Sequence, residues 1–210
     1  MKFKPQILLL LSICCFALSM TACAGFMSLW TIGNVALGAV GIALAALGSV
    51  LSPAQVSAIT GAVSKVQSLW NDLKTAVQDY TTNATNGTLT AVQGVIADIQ
   101  AALPDVETAA NIGNPVVKAV IAAVLAASGD VLSYLAKNVL PQAAAAKAQF
   151  TAHNAEPAKA LDVGMKLQAV KTKTTFEAAI ANSGLDADTI KKINDHCEHE
   201  THAHLGPFRV

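Results

Sequence analysis

Residues 52–80 read SPAQVSAITGAVSKVQSLWNDLKTAVQDY, and their spacing decides the fold class. Ser52-Pro53-Ala54-Gln55 is a helix start. The Ser hydroxyl accepts from the amide three residues on, Gln at that position reaches back, and Pro suits the first helical residue. Behind it Val56, Ile59, Val63, Val66, Trp70, Leu73, Val77 and Tyr80 advance by alternating steps of three and four. More than three heptads of this regularity make a narrow apolar seam for a partner helix. Only Lys65, Asp72, Lys74 and Asp79 are charged among the other positions, which favours a bundle within the chain over a long exposed coiled coil.

Working outward, Thr81–Thr88 holds Asn83, Asn86 and Gly87 and reads as a turn. Leu89, Val92, Ile96, Ile99 and Leu103 then step by three and four again, so two helices with a short connection make an antiparallel hairpin. Pro104 is expected to end the second. Asn114-Pro115 reads as a cap and first residue of a helix to about Leu140, with a broad apolar face and Gly129 as a point where it could bend. Beyond the Ala-rich stretch after Pro141, and after Pro157, Leu161, Met165 and Gln168 predict a weaker helix that the Lys171-Thr172-Lys173 segment ends. Thr174–Glu177 fits a capping box opening a short helix with Phe176 and Ile180, stopped at Ser183-Gly184. Asp186 caps a last helix through Ile190 and Ile193. No alternating pattern is long enough for a sheet. The expected fold is all-α, a helical bundle with an antiparallel hairpin.

The amino-terminal part has a different character. Lys2 and Lys4 precede an apolar run from Ile7 to Leu18, followed by Ser19-Met20-Thr21-Ala22-Cys23. A basic end, a dozen apolar residues and small residues at the cut are the layout of a secretory signal. With Cys placed after Thr21-Ala22, the segment resembles a bacterial lipoprotein signal, although Met20 stands where Leu is commoner. The resemblance implies cleavage before Cys23, a diacylglyceryl group on Cys23 and usually a third acyl chain (palmitate or similar). Ala24, in place of the Asp that often retains such proteins at the inner membrane, points to the outer membrane, facing the periplasm. The other reading makes Cys23 an ordinary residue after a normal signal or within an uncleaved anchor. On the lipoprotein reading the chain divides into a signal peptide (1–22), the lipid anchor with an apolar Gly/Ala-rich helix (23–51), the bundle (52–194) and a His-rich tail (195–210).

Loss of Lys2 and Lys4 leaves 12 basic against 14 acidic residues, a net −2. There is no basic footprint for nucleic acid. Cys14 and Cys15 would leave with the signal and Cys23 would carry lipid, so Cys197 is the one free thiol and no intrachain disulfide forms.

No charged residue occurs between Pro5 and Ser64. Residues 29–51 alone are long enough to cross a bilayer. Gly41, Ala45 and Ser49, at four-residue spacing, form a small-residue face for close helix packing. The stretch is similar to the glycine-zipper segments of some outer-membrane lipoproteins, without their strict repeat. Membrane helix, buried core helix and flexible tether all remain open. Trp30 fits an interfacial ring, and Trp70 a core position on the seam.

The one cluster of reactive side chains is His196, Cys197, Glu198, His199, Glu200, His202 and His204. Imidazole and thiolate are ligands for zinc, copper or nickel, so His196, Cys197, His199, His202 and His204 are the candidate metal ligands. The alternative is a solvated tail that binds metal incidentally. His199-Glu200 is not a zinc-protease motif, because Ala203 stands where the second His is needed. No nucleophile elbow or phosphate-binding Gly loop is present, no catalytic residue is nominated, and no cofactor is required. The leading expectation is a non-enzymatic envelope lipoprotein with a structural or interaction role, its partners being membrane lipid and a protein or second copy engaged through helix faces. Two alternatives stand beside it: a membrane-active protein inserting residues 29–51, and a metal-binding lipoprotein using the tail.

Overall fold

A computed structural model of the chain describes the backbone of residues 5–83, 85–110, 114–140 and 156–205, with side chains described for residues 24–83, 85–110, 114–140 and 161–202. Six α-helices and no strand occur among the described residues: α1 (Pro5–Leu47), α2 (Pro53–Thr82), α3 (Asn86–Ala110), α4 (Pro115–Tyr134), α5 (Glu156–Ala181) and α6 (Ala187–Leu205). A π-helical turn, Leu135–Val139, prolongs α4. The fold is an all-α helical bundle.

The start of α2 forms as its sequence dictates. Gln55 N–H donates to Ser52 Oγ at 3.3 Å and Ser52 N–H donates to Gln55 Oε1 at 2.8 Å, a reciprocal capping box. On the seam, Ile59, Val63, Val66, Trp70 and Leu73 are buried, and Val56, Val77 and Tyr80 are half-buried. α2 and α3 pack as a hairpin. Across it Lys65 Nζ reaches Asp105 Oδ2 at 2.9 Å, an exposed pair that adds little stability. Asn114 Oδ1 accepts from the amides of Val116 and Val117, capping α4. Asp186 accepts from the Thr189 amide and hydroxyl at the start of α6. Gly184, at φ +86°, supplies the left-handed residue after α5.

Three expected breaks are absent. Pro104 sits inside α3, which continues to Ala110. Pro104 is exposed, so its ring faces away from the core, while Val106 and Ala110 carry the buried face onward. The Lys171-Thr172-Lys173 segment lies inside α5, where Thr172 is buried and Lys173 pairs with Glu177 at 2.5 Å, one turn apart. Thr174 starts no helix; its hydroxyl donates to Val170 O within α5. Burial of Met165, Ala169, Thr172, Phe176 and Ile180 on one face makes one helix of the two expected pieces. The Ala-rich stretch 141–153 lies outside the described residues.

Residues 24–51 and 195–202 pack with the rest of the bundle. α1 packs against α2, α4, α5 and α6 and is the central helix of the bundle. Leu29, Val35, Ala36, Leu37, Ala39 and Val40 are buried within it. Residues 195–205, expected as a tail, continue α6.

Candidate functional site

α1 is apolar nearly all round, so its neighbours decide which small residues matter. At Gly33 an added Cβ would lie 1.9 Å from Cζ2 of Trp70. The indole of α2 rests directly on the backbone of α1, which only glycine permits there. Two reciprocal hydrogen bonds lock the contact: Trp30 Nε1–H donates to Trp70 O and Trp70 Nε1–H donates to Trp30 O, each at 2.9 Å and buried. A helical carbonyl keeps a second lone pair, so each can accept an indole N–H in addition to its ladder bond. Lys74 Nζ lies 4.5 Å from the Trp30 ring centroid, a cation–π contact. Trp70 is core as expected, and Trp30, expected as an interfacial ring, is buried inside the protein.

Within the chain, the face expected to mediate close packing makes no close contact. Gly41, Ala45 and Ser49 are all exposed, and no atom lies within 4 Å of a Cβ built on Gly41. Close approach occurs at Gly33, at Gly38 against the His196 imidazole, and at Gly25. Spacing identified small residues; the bulk of the opposing side chain determines which are needed.

Near the first described side chains of α1, Gly25 and Phe26 are buried. A Cβ on Gly25 would lie 2.9 Å from Asp162 O, Asp162 Oδ1 and Met165 Cε of α5. Asp162 is buried, with 8% of its surface exposed. Its Oδ2 accepts from Lys166 Nζ at 2.8 Å, and its Oδ1 has no hydrogen-bond partner. On the opposite face of α5, Val163, Leu167 and Val170 form an exposed apolar stripe at helical spacing. The Cys23 side chain lies outside the described residues. Sequence reading passed over Gly25 and Asp162; the available signal was a lone carboxylate beside Leu161 and three residues before Met165.

The His/Cys segment is split by its helix. Cys197 is buried in the core, and burial, assisted by the Glu177 carboxylate, pushes its thiol up to about 12. Thr201 Oγ1 donates to Cys197 O one turn on. His196 is half-buried, and His199 and His202 are exposed; the His204 side chain lies outside the described residues. Among the described residues no group of three or more His, Cys, Asp or Glu side chains converges on a metal position.

One surface groove of about 590 Å³ lies at the α1–α2 corner, lined by Gly48, Leu51, Pro53, Val56, Ser57, Thr60 and Gly61. Its side chains offer hydroxyls and apolar carbon. Two helices, Ala24–Leu47 and Pro115–Val139, are long and apolar enough to cross a membrane, a property that core helices share. They pack against each other, with 67% and 50% of their most apolar windows buried inside the protein.

Known protein families, curated proteins and solved structures offer no match to this chain.

Proposed function

We propose that this protein is an envelope lipoprotein, held to the outer membrane through lipid on Cys23, that acts as a non-enzymatic structural or interaction module at the membrane surface. One observation carries the reading: the string Ser19-Met20-Thr21-Ala22-Cys23, behind a basic and apolar leader, stands two residues before the buried Gly25. In a chain cut before Cys23 the acylated end stands two residues from buried Gly25, without a linker. One acyl chain anchors only marginally, since each buried methylene contributes roughly 0.8 kcal/mol, so two or three chains make the attachment stable. Such a short attachment holds the bundle close to the lipid headgroups.

A second reading has α1 enter the bilayer, with α4 beside it, and is favoured by the length and mutual packing of the two apolar helices. It requires the Trp30–Trp70 lock to open. The test replaces residues 1–22 by an ordinary cleavable signal, introduces Cys23→Ala, and fractionates cells with and without a carbonate wash. The lipoprotein reading expects the natural chain in the membrane, with the mass of a diacylglyceryl-cysteine end, and the variant soluble in the periplasm. A variant that stays in the washed pellet makes α1 itself a membrane element and replaces the first reading by the second.

A further inference from the structure

We propose that Asp162 is the docking site for the new N-terminus of α1 created by removal of the leader, a proposal that rests on cleavage before Cys23. In the full chain α1 runs unbroken from Pro5 to Leu47, so the amides of Ala24, Gly25 and Phe26 bond to the carbonyls four residues earlier, at 20, 21 and 22. Hydrolysis of the Ala22–Cys23 peptide bond adds one water, leaves a carboxylate on Ala22 and an amine on Cys23, and carries those three carbonyls away with the leader. The first amides of α1 are then orphaned, at the end of the helix where a negative charge is favoured.

An acceptor is already in place. Asp162 is 8% exposed, and Lys166 holds only one of its oxygens. The other, Oδ1, is buried without a partner, 2.9 Å from where a Cβ on Gly25 would stand. Leaving a buried acceptor unpaired is costly, more so for a charged group; Lys166 offsets the charge through Oδ2, and among the described residues none bonds to Oδ1. Glycine at position 25 keeps the space between this carboxylate and the helix backbone clear; any side chain would fill it. A bare carboxylate oxygen against the first turn of a helix is the arrangement of an N-cap supplied from a neighbouring helix. The mature end is thereby fixed to α5, and the lipid on Cys23 leaves the bundle at a defined point.

The experiment uses the full chain with residues 19–22 replaced by a specific protease site, purified in detergent and compared uncut and cut by hydrogen exchange of the peptide covering residues 24–27. Uncut, these amides are protected in wild type and in Asp162→Ala alike. After cutting, the wild type retains protection, whereas Asp162→Ala exchanges there at least about tenfold faster, as expected for loss of a hydrogen bond to a charged group. Lys166→Ala, which removes the partner of Oδ2 alone, keeps the protection. Loss of protection on cutting the wild type overturns the proposal even if Asp162→Ala does not fold, and so does equal protection of cut wild type and cut Asp162→Ala. The intact mass of the natural protein separately reports whether the leader is removed at Cys23, so failure of the lipoprotein reading is distinguished from failure of the docking.

Discussion

Glycines in one helix carry opposite consequences here. Gly33 lies beneath the Trp70 ring, so Gly33→Ala forces the indole off the α1 backbone and strains both indole hydrogen bonds. Overpacking of this kind costs about 1–3 kcal/mol or more, outweighing the ~1 kcal/mol that Ala gains over Gly in a helix. Gly41 faces open space, so Gly41→Ala is expected to stabilise by about 0.5–1 kcal/mol. Thermal unfolding followed by circular dichroism checks the pair: the midpoint falls for the first and rises for the second. If Gly41→Ala instead weakens self-association or lowers the midpoint, the exposed small-residue face has a partner. Cys197 supplies a chemical test. Its thiol is pushed up to about 12 by burial, against about 8.5 in an unfolded chain. A raised thiol pKa means the folded state holds its proton longer. The contribution to stability is therefore full below about pH 8.5 and is lost as pH rises from there towards 12. At pH 8 alkylation of Cys197, read by peptide mass spectrometry, is expected to be at least about a hundredfold slower in the native protein than in urea. Comparable rates would place the thiol outside the core.

The helices were legible where signals are local. Ser52, Asn114 and Asp186 cap as their spacing indicates, because a cap involves only the next three amides. Ser52→Ala and Asn114→Ala should each cost about 1 kcal/mol, within a range of roughly 0.5–2; denaturant midpoints at unchanged slope would show it. The stops at Pro104 and at Lys171–Lys173 were misread for one shared reason. A weak or breaking residue ends a helix only if nothing beyond it is buried on the same face, and both α3 and α5 have buried residues beyond the break. Pro104 is exposed within α3, so Pro104→Ala restores an amide donor without filling core space. It is expected to stabilise by up to about 3 kcal/mol, and a lowered midpoint would mean that Pro104 itself is needed where α3 packs on α4.

Across the whole molecule, α1 changes the meaning of the sequence. Residues 24–47 form the axis on which α2, α4, α5 and α6 are assembled, so the uncharged run that looks like a separate membrane element is also the core of the fold. Replacing Trp70 tests this dependence. Trp70→Ala removes a fully buried indole and the bond it donates to Trp30 O, leaving the Trp30 indole with only the backbone carbonyl of residue 70. The expected loss is about 3–5 kcal/mol, with protease cleavage shifting to sites in both α1 and α2. A loss confined to α2 would show that α1 stands without it. The sequence by itself determined the all-α class, the α2 seam, the α2–α3 hairpin and the principal caps, because these depend on residues within a few turns of one another. The tertiary structure alone decided that α1 is central, that Gly33 and Gly25 lie at close contacts within the chain while Gly41 faces open space, and that Cys197 parts from its neighbouring histidines. An apolar helix with small residues on several sides has no single face of its own. Its buried contacts are chosen by side chains far away in the chain, by Trp70 forty residues from Trp30 and by Asp162 on another helix.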